Sequence, residues 1–545
     1  MKNKIIFSIL IAITLLLSSC ENNFNPQIYG ELSSTNFPKT ESDYEALLMT
    51  CYVPFEVNWS YNLTGGSWQH GFYVAGDGCM RLFDATSDYC APWMVNSDDG
   101  AGQQYTEGNF ANFTLFVPTD DNNPPHFEKI RDITRFTEII GELENSTVLS
   151  DTIKKNFVGE ARLLRGMMMY YLLHIYGPVP VILNPALVGN TVAEENMVRP
   201  SLDSMVVWIT NDLEYAVANM SNSATIPHGR YTADYARFCL MRHCLNEGSY
   251  MSGYYDMAIE MYNELKTSGY SLFTADGVNS YADQFMQGHK FNCETIEAVS
   301  TSASADGSAG NGNFNPTSWY VVPSNAAKYA DAANTIPTPF VYQGGGWGQN
   351  YNVSPAYYDT YEPGDLRKNV ILTSYIQNDN ARTNITVADI GVKWSGFIIN
   401  KYPIEIPSQF QPTDIPLARW ADVLLMYAEA VARKTNAVPT GEAMQGVNDV
   451  RARAGLAPLS GAATASYDGF MDALLAERGH ELLYEGCRKI DLIRFNKYRH
   501  NCFAIKGIEP TSQYLPIPNY AVLQAASYGK TLTQFFERPD YGQDN

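Results

Sequence analysis

Glu477-Arg-Gly-His-Glu-Leu-Leu-Tyr-Glu-Gly-Cys-Arg-Lys-Ile-Asp-Leu-Ile-Arg494 is the stretch that decides the architecture of this 545-residue chain. Opposite charges fall three apart in it: Arg478 to Glu481, Glu485 to Arg488, Arg488 to Asp491, Asp491 to Arg494. On a helix that spacing puts partners side by side and gives a mutually satisfied ion-pair row. Paired carboxylates are also what glycoside hydrolysis needs, so Glu477, Glu481, Glu485 and Asp491 are candidate catalytic acids. A working acid needs a raised pKa, and neighbouring arginines push it down. The row is therefore expected to be structural, with a helix running from Tyr467 to Tyr484.

Helical periodicity extends outward from there. Leu417, Ala421, Leu424, Ala428 and Val431 make one stripe over a helix expected at Leu417 to Arg433, and Glu442 to Ala454 forms another. Upstream, Ala161, Leu164, Met168, Tyr171 and Ile175 lie at helical spacing in Phe157 to Tyr176, which Gly177-Pro178 stops. Further helices are expected at Leu202 to Met220, Thr232 to Glu247 and Asp256 to Lys266. Small residues (Ala236, Ala258, Ala428, Ala443) let such helices approach closely, as in tetratricopeptide-like hairpins. Residues 271–416 differ. They hold the Gly/Ser/Asn-rich Thr301 to Asn315, Gly344-Gly345-Gly346 and many prolines, and read as loops and short strands.

The N-terminus sets the compartment. Lys2 and Lys4 precede an apolar run from Ile5 to Leu17. At about 13 residues it is short of the roughly 20 needed to span a bilayer, and it reads as a secretory signal. Leu17-Ser18-Ser19-Cys20 looks like a bacterial lipobox, in which Cys20 is acylated and becomes the first mature residue. Residues 1–19 are then the signal peptide, 20–40 a lipidated tether, and 41–545 one unit. The helical scaffold is expected at about 127–270 and 417–500. The loop-rich parts lie at about 50–125 and 271–416.

Composition narrows the function. A net charge of −21 argues against nucleic acid and against a polybasic membrane surface. Charged residues are only 17%, aromatics reach 13%, and there are 36 tyrosines, a make-up suited to stacking on and hydrogen-bonding a neutral polar ligand. The histidines show neither His-x-x-x-His nor His-Glu-x-x-His, and no Cys-x-x-Cys occurs, so no metal or cofactor is expected. His243 reads as a core histidine. Gly344 to Gly348 is not followed by Lys-Ser/Thr and is no phosphate loop. Cys79 and Cys90 flank a loop and are the better disulfide candidates, with buried free thiols the alternative.

Seven motifs in order carry a resemblance. They are Glu160-Ala-Arg-Leu-Leu-Arg165, Tyr176-Gly-Pro-Val-Pro180, Tyr361-Glu-Pro-Gly-Asp-Leu-Arg367, Arg419-Trp-Ala-Asp-Val-Leu-Leu-Met-Tyr-Ala-Glu-Ala430, Val447-Asn-Asp-Val-Arg-Ala-Arg-Ala-Gly-Leu456, the Glu477–Arg494 stretch and Tyr514-Leu-Pro-Ile-Pro518. Together with the lipobox the chain closely resembles the SusD/RagB family of Bacteroidetes outer-membrane lipoproteins. The resemblance implies a mostly α fold, with four tetratricopeptide-like hairpins packed against an irregular, loop-rich ligand-binding half with short strands. It implies a SusC-like TonB-dependent transporter as partner, and capture of glycan, or in some members peptide, without chemistry. Two departures, Ala521 where the family has Glu and Gln534-Phe535 where it has Gln-Asn, imply a differently packed C-terminal tail.

Loop aromatics are the candidate ligand contacts. Trp68, Tyr73, Trp93, Trp319, Tyr320 and Trp347 sit among Gly, Asn, Ser and Asp, outside any periodic pattern. An indole face can stack on the C–H face of a sugar, while Arg81, Asp84, Asp88 and Asn96, near Trp93 in sequence, could hold its hydroxyls. Trp93 and Trp319/Tyr320 match the regions from which the family draws its ligand aromatics, by position only. Three functions follow: a glycan-binding lipoprotein serving a transporter, a peptide-binding one of the same architecture, and a surface glycoside hydrolase.

Overall fold

The computed structural model describes residues 37–56, 71–73, 78–91, 104, 106–110, 126–222, 225–275, 280–302, 315, 317, 321, 352–376, 384–386, 396–405 and 411–538. Cys20, Trp68, Trp93, Asn96, Trp319, Tyr320 and Trp347 lie outside them.

Eight helices in succession build the scaffold: α2 (Ile130–Asn145), α3 (Asp151–Tyr176), α4 (Leu202–Asn219), α5 (Ala233–Glu247), α6 (Tyr254–Leu265), α7 (Trp420–Thr435), α8 (Glu442–Arg453) and α9 (Tyr467–Glu481). A shorter α1 (Glu41–Met49) packs on α2 and α3. Each scaffold helix packs on the next. Hydroxyl caps set their starts: Ser150, Ser201 and Thr232 accept from the amides of Ile153, Ser204 and Tyr235. Gly177 ends α3 at φ 75°, and a Cβ there would lie 2.2 Å from Phe536, so the position requires glycine.

The expected alanines hold the crossings. Ala236, Ala258 and Ala428 are fully buried and Ala443 nearly so. α3 is the spine. Leu163, Leu164, Met168, Met169 and Leu172 have no exposed surface, and each such side chain contributes about 1.5–3 kcal/mol of burial. Among the described residues no helix is long and apolar enough to cross a membrane.

The expected helix from Leu417 starts later. Residues Ile415–Arg419 form strand β7, paired antiparallel with β1 (Thr295–Val299). Ala421, Leu424, Ala428 and Val431 of the expected stripe lie on α7, and only Leu417 falls in the strand, whose backbone the ladder bonds to β1 take instead. Three short strands, β2 (Asn352–Val353), β3 (Ile371–Leu372) and β6 (Phe397–Ile399), form a layer in the order β2-β6-β3, and β4 (Ser374–Ile376) pairs with β5 (Asn384–Thr386) as a hairpin.

The helix through Glu477–Arg494 also breaks. α9 stops at Glu481, the chain turns through Tyr484 (φ 56°) and Gly486 (φ 77°), and α10 (Arg488–Arg494) begins anew. Beyond it lie α11 (Tyr498–Lys506) and α12 (Asn519–Ser527). Of the four expected pairs only Asp491–Arg494 forms locally. The other partners are distant, because both charges are buried and each must be satisfied from several sides. Arg478 binds Asp491 and Asp422, Glu481 binds Arg419 and Arg453, and Arg488 binds Asp88. The C-terminal tail packs through the departures noted in the sequence. Ala521 is buried, and the Gln534 amide donates to the Ile517 carbonyl at 3.1 Å.

Candidate functional site

The stretches carrying the expected ligand aromatics are rooted on described residues. The stretch with Trp93 and Asn96 leaves from Ala91. The Ala91 amide donates to the Asn352 carbonyl at 2.7 Å, and the Ser354 amide donates to the Tyr89 carbonyl at 2.8 Å. Cys90 bridges Val353, which joins this root to the β2-β6-β3 layer. Asn352 is also where the stretch with Trp347 returns. Val321, which follows Trp319 and Tyr320 directly, is buried in the same apolar cluster as Tyr89, Cys90 and Val353. The fold thus brings the roots of three expected ligand stretches onto one layer.

That layer is braced from below. A π-helical turn, Met80–Ala85, carries Arg81 and Asp84, a helix form that needs a local reason to persist. The reason here is Asp84. Its carboxylate is fully buried and accepts from the amides of Gly486 (2.6 Å) and Arg488 (3.3 Å). Gly486 closes to within 2.7 Å, measured from a would-be Cβ, of Cys79. Burial pushes the Asp84 carboxyl up to about 7 against the pull of those hydrogen bonds. Asp88 takes a bidentate pair from Arg488 at 2.8 and 2.7 Å. Asp84 and Asp88 are therefore structural, which corrects their expected role toward sugar hydroxyls. Arg81 is buried at 7% exposure in the same turn. Tyr73 is likewise a core residue, its hydroxyl 3.1 Å from that of Tyr171. Cys79 and Cys90 are separate buried thiols and all eight described cysteines are free, so of the two readings it is the buried free thiols that hold.

A second feature lies at the root of the Trp68 stretch, which leaves from Glu56. It is a cleft of about 340 Å³ between the α1 end, the 228–231 turn and the end of β1, within the size range of small-molecule sites. Tyr52 and Tyr231 meet in its wall with ring centroids 4.8 Å apart and planes tilted by 50°. Arg230 is locked there. It forks onto Glu160 at 2.9 and 3.0 Å and pairs with Glu45. Tyr52 donates to the same Glu160. Ser300 lies on the rim of this cleft. Sequence periodicity could not find this cleft, because its walls come from three distant segments.

The buried ion network lies behind both features. Arg419 reaches Glu294 (2.5 Å), Glu481 (2.9 Å) and Glu485 (2.5 Å), and Arg367 reaches Asp365 (2.8 Å) and Glu477 (2.6 Å). Burial raises the Glu481 carboxyl, but Arg453, Arg419 and Arg367 outweigh it and hold it at about 2. Asp491, buried between Arg478 and Arg494, is likewise held at about 2. Such carboxylates stay ionised and cannot donate a proton at neutral pH. His243, fully buried against Thr210 and the Val206 carbonyl, is a core histidine whose pKa burial lowers to about 4. No group of His, Cys, Asp and Glu among the described residues could hold a metal ion.

A helical scaffold that carries a loop-bearing layer and a side cleft defines the class. Comparison with known proteins then places it. The SusD family model matches residues 336–537, and a second model, described as starch-binding associating with outer membrane, matches residues 84–240. The chain belongs to the SusD/RagB family. It is 25% identical over 432 residues to a SusD-like protein of Bacteroides ovatus, covering 73% of this chain and 70% of that one. It is 23% identical over 436 residues to the starch-binding protein SusD of Bacteroides thetaiotaomicron, covering 71% and 74%. A solved laminarin-binding SusD-like protein superposes with a TM-score of 0.67 at 20% identity, covering 92% of this chain and all of that one, a likeness of fold.

Proposed function

We propose that this chain is a cell-surface lipoprotein that captures oligosaccharide and passes it to a SusC-like TonB-dependent transporter. The observation that carries the reading is the convergence on one layer of the roots of the Trp93, Trp319/Tyr320 and Trp347 stretches. Relatives that bind starch and laminarin by name support a glycan as the cargo. Trp93, Asn96, Trp319, Tyr320, Trp347 and Trp68 form the proposed contact set, together with Arg81, which is buried in the Met80–Ala85 turn. A sugar exchanges water hydrogen bonds for protein ones at little net gain, so aromatic faces supply the affinity.

Capture proceeds without chemistry. The buried carboxylates of the Glu477–Arg494 stretch are tied to arginines and serve the scaffold. Cys20 carries the lipid at the outer membrane, residues 1–19 are the signal and 20–40 the tether, and residues 41–545 act as one unit. The test is purification from gently solubilised membranes, followed by incubation of the product with its glycan. Co-purification of a TonB-dependent barrel and an intact glycan are expected. A lone lipoprotein, or shortened glycan, would contradict the proposal.

A further inference from the structure

The cleft beside Tyr52 and Tyr231 has a lopsided charge inventory. Its arginine, Arg230, is spent on Glu160 and Glu45, and its histidine, His228, lies ring to ring on Phe291 at 3.8 Å. Glu56 lines the same cleft, half-buried, and burial raises its carboxyl. An anionic ligand group entering here would meet the Glu56 carboxylate, with the Arg230 guanidinium already paired. Like charges a few ångström apart repel in a partly buried site. A neutral hydroxyl or an ammonium group can instead donate to Glu56. Placed next to the tilted Tyr52–Tyr231 pair, this is a polar wall beside an apolar face, the arrangement that a single sugar ring fits.

We propose that Glu56 sets the charge selectivity of the ligand cleft, which admits neutral and amine-bearing glycans and rejects those carrying uronate or sulfate. The inference rests on the glycan reading above. It assigns Glu56 as a specificity-determining residue that touches ligand, distinct from the loop aromatics that supply stacking.

The test is a glycan array carrying neutral, amine-bearing, uronate-bearing and sulfated oligosaccharides. It is read with the mature protein, Glu56→Gln and Glu56→Arg, each checked for an unchanged melting temperature. Wild-type signal is expected on neutral or amine-bearing glycans only. Glu56→Arg should raise affinity for a uronate-bearing oligosaccharide at least tenfold, the scale of one charge contact in a half-exposed site, and lower it for amine-bearing ones. Glu56→Gln should keep the neutral binders. Should either variant melt lower, the other supplies the comparison. Wild-type binding to uronates or sulfates as tight as to neutral glycans, or anionic affinity unmoved by Glu56→Arg, overturns the inference and leaves the glycan reading standing. Signal on no glycan of any class overturns that reading itself.

Discussion

Glu481→Gln removes one negative charge from a buried cluster in which Arg419 lies 2.9 Å, Arg453 2.5 Å and Arg367 3.5 Å from the carboxylate. The cost can be worked in two ways. A carboxyl held at about 2 instead of 4.5 corresponds to about 3 kcal/mol at 1.36 kcal/mol per unit. Breaking a buried pair typically costs about 3–5 kcal/mol, because a charge is left uncompensated. At about 2.1 cal/mol/K per residue, 545 residues give an unfolding entropy of about 1.1 kcal/mol/K, so the melting temperature should drop by about 3–5 °C. The pH dependence has a definite sign. The folded-state pKa is depressed, so this stabilisation is present above about 4.5 and is lost as pH falls toward about 2. Calorimetry of wild type and Glu481→Gln from pH 7 to pH 3 should show the gap closing on acidification. Glycan affinity should not change. An unmoved melting temperature, or a selective loss of binding or of some hydrolytic activity, would refute the structural role of this carboxylate and revive the hydrolase reading.

Three further outcomes follow from named groups. Glu297 is raised to about 8 by burial, so its ionisation between pH 4.5 and 8 works against folding; Glu297→Gln should melt higher than wild type by a margin that widens from pH 5 to pH 8, and a constant margin would contradict this. Alkylation of unfolded protein without reductant should label all eight cysteines after Cys20, since each described one is a free thiol; a pair protected until reduction would contradict it. Cys20→Ala should leave the protein unprocessed or released from the membrane fraction, whereas normal partition would remove the lipid anchor from the account.

The helices were legible where local signals agree. Helical spacing and, for α3, the Gly177 stop mark these helices in sequence, and the observed bounds of α3, α4 and α5 lie close to the expected ones except that α3 starts earlier, at Asp151. The β1–β7 ribbon was not legible, because Leu417 continues the stripe of α7 at helical spacing and only the pairing partner of Ile415–Arg419, over a hundred residues away, decides. The same reason explains the misread ion row. Spacing of three suggested local pairs, while Arg488 finds Asp88 and Arg419 finds Glu294 across the fold. Burial was the missing information, since a solvated face tolerates local pairs and a buried one demands a network. At the site, composition pointed to loop aromatics, and the structure adds what composition cannot. The backbone bonds between Tyr89–Ala91 and Asn352–Ser354 root separate stretches together. The cleft at Tyr52, Arg230 and Tyr231 likewise exists only once three distant segments meet.

Capture of a glycan by the loop aromatics is the centre of the account, and calorimetric titration tests it most directly. An oligosaccharide that the protein binds is titrated into wild type, Trp93→Ala and Trp319→Ala, each also melted. A stacked ring face is worth about 1–2 kcal/mol at about 25 cal/mol per Å², and two or three of them give micromolar to millimolar affinity. Each substitution is predicted to weaken binding by about 1–2 kcal/mol with no change in melting temperature. Wild-type affinity in both variants would place the site elsewhere and contradict the central claim.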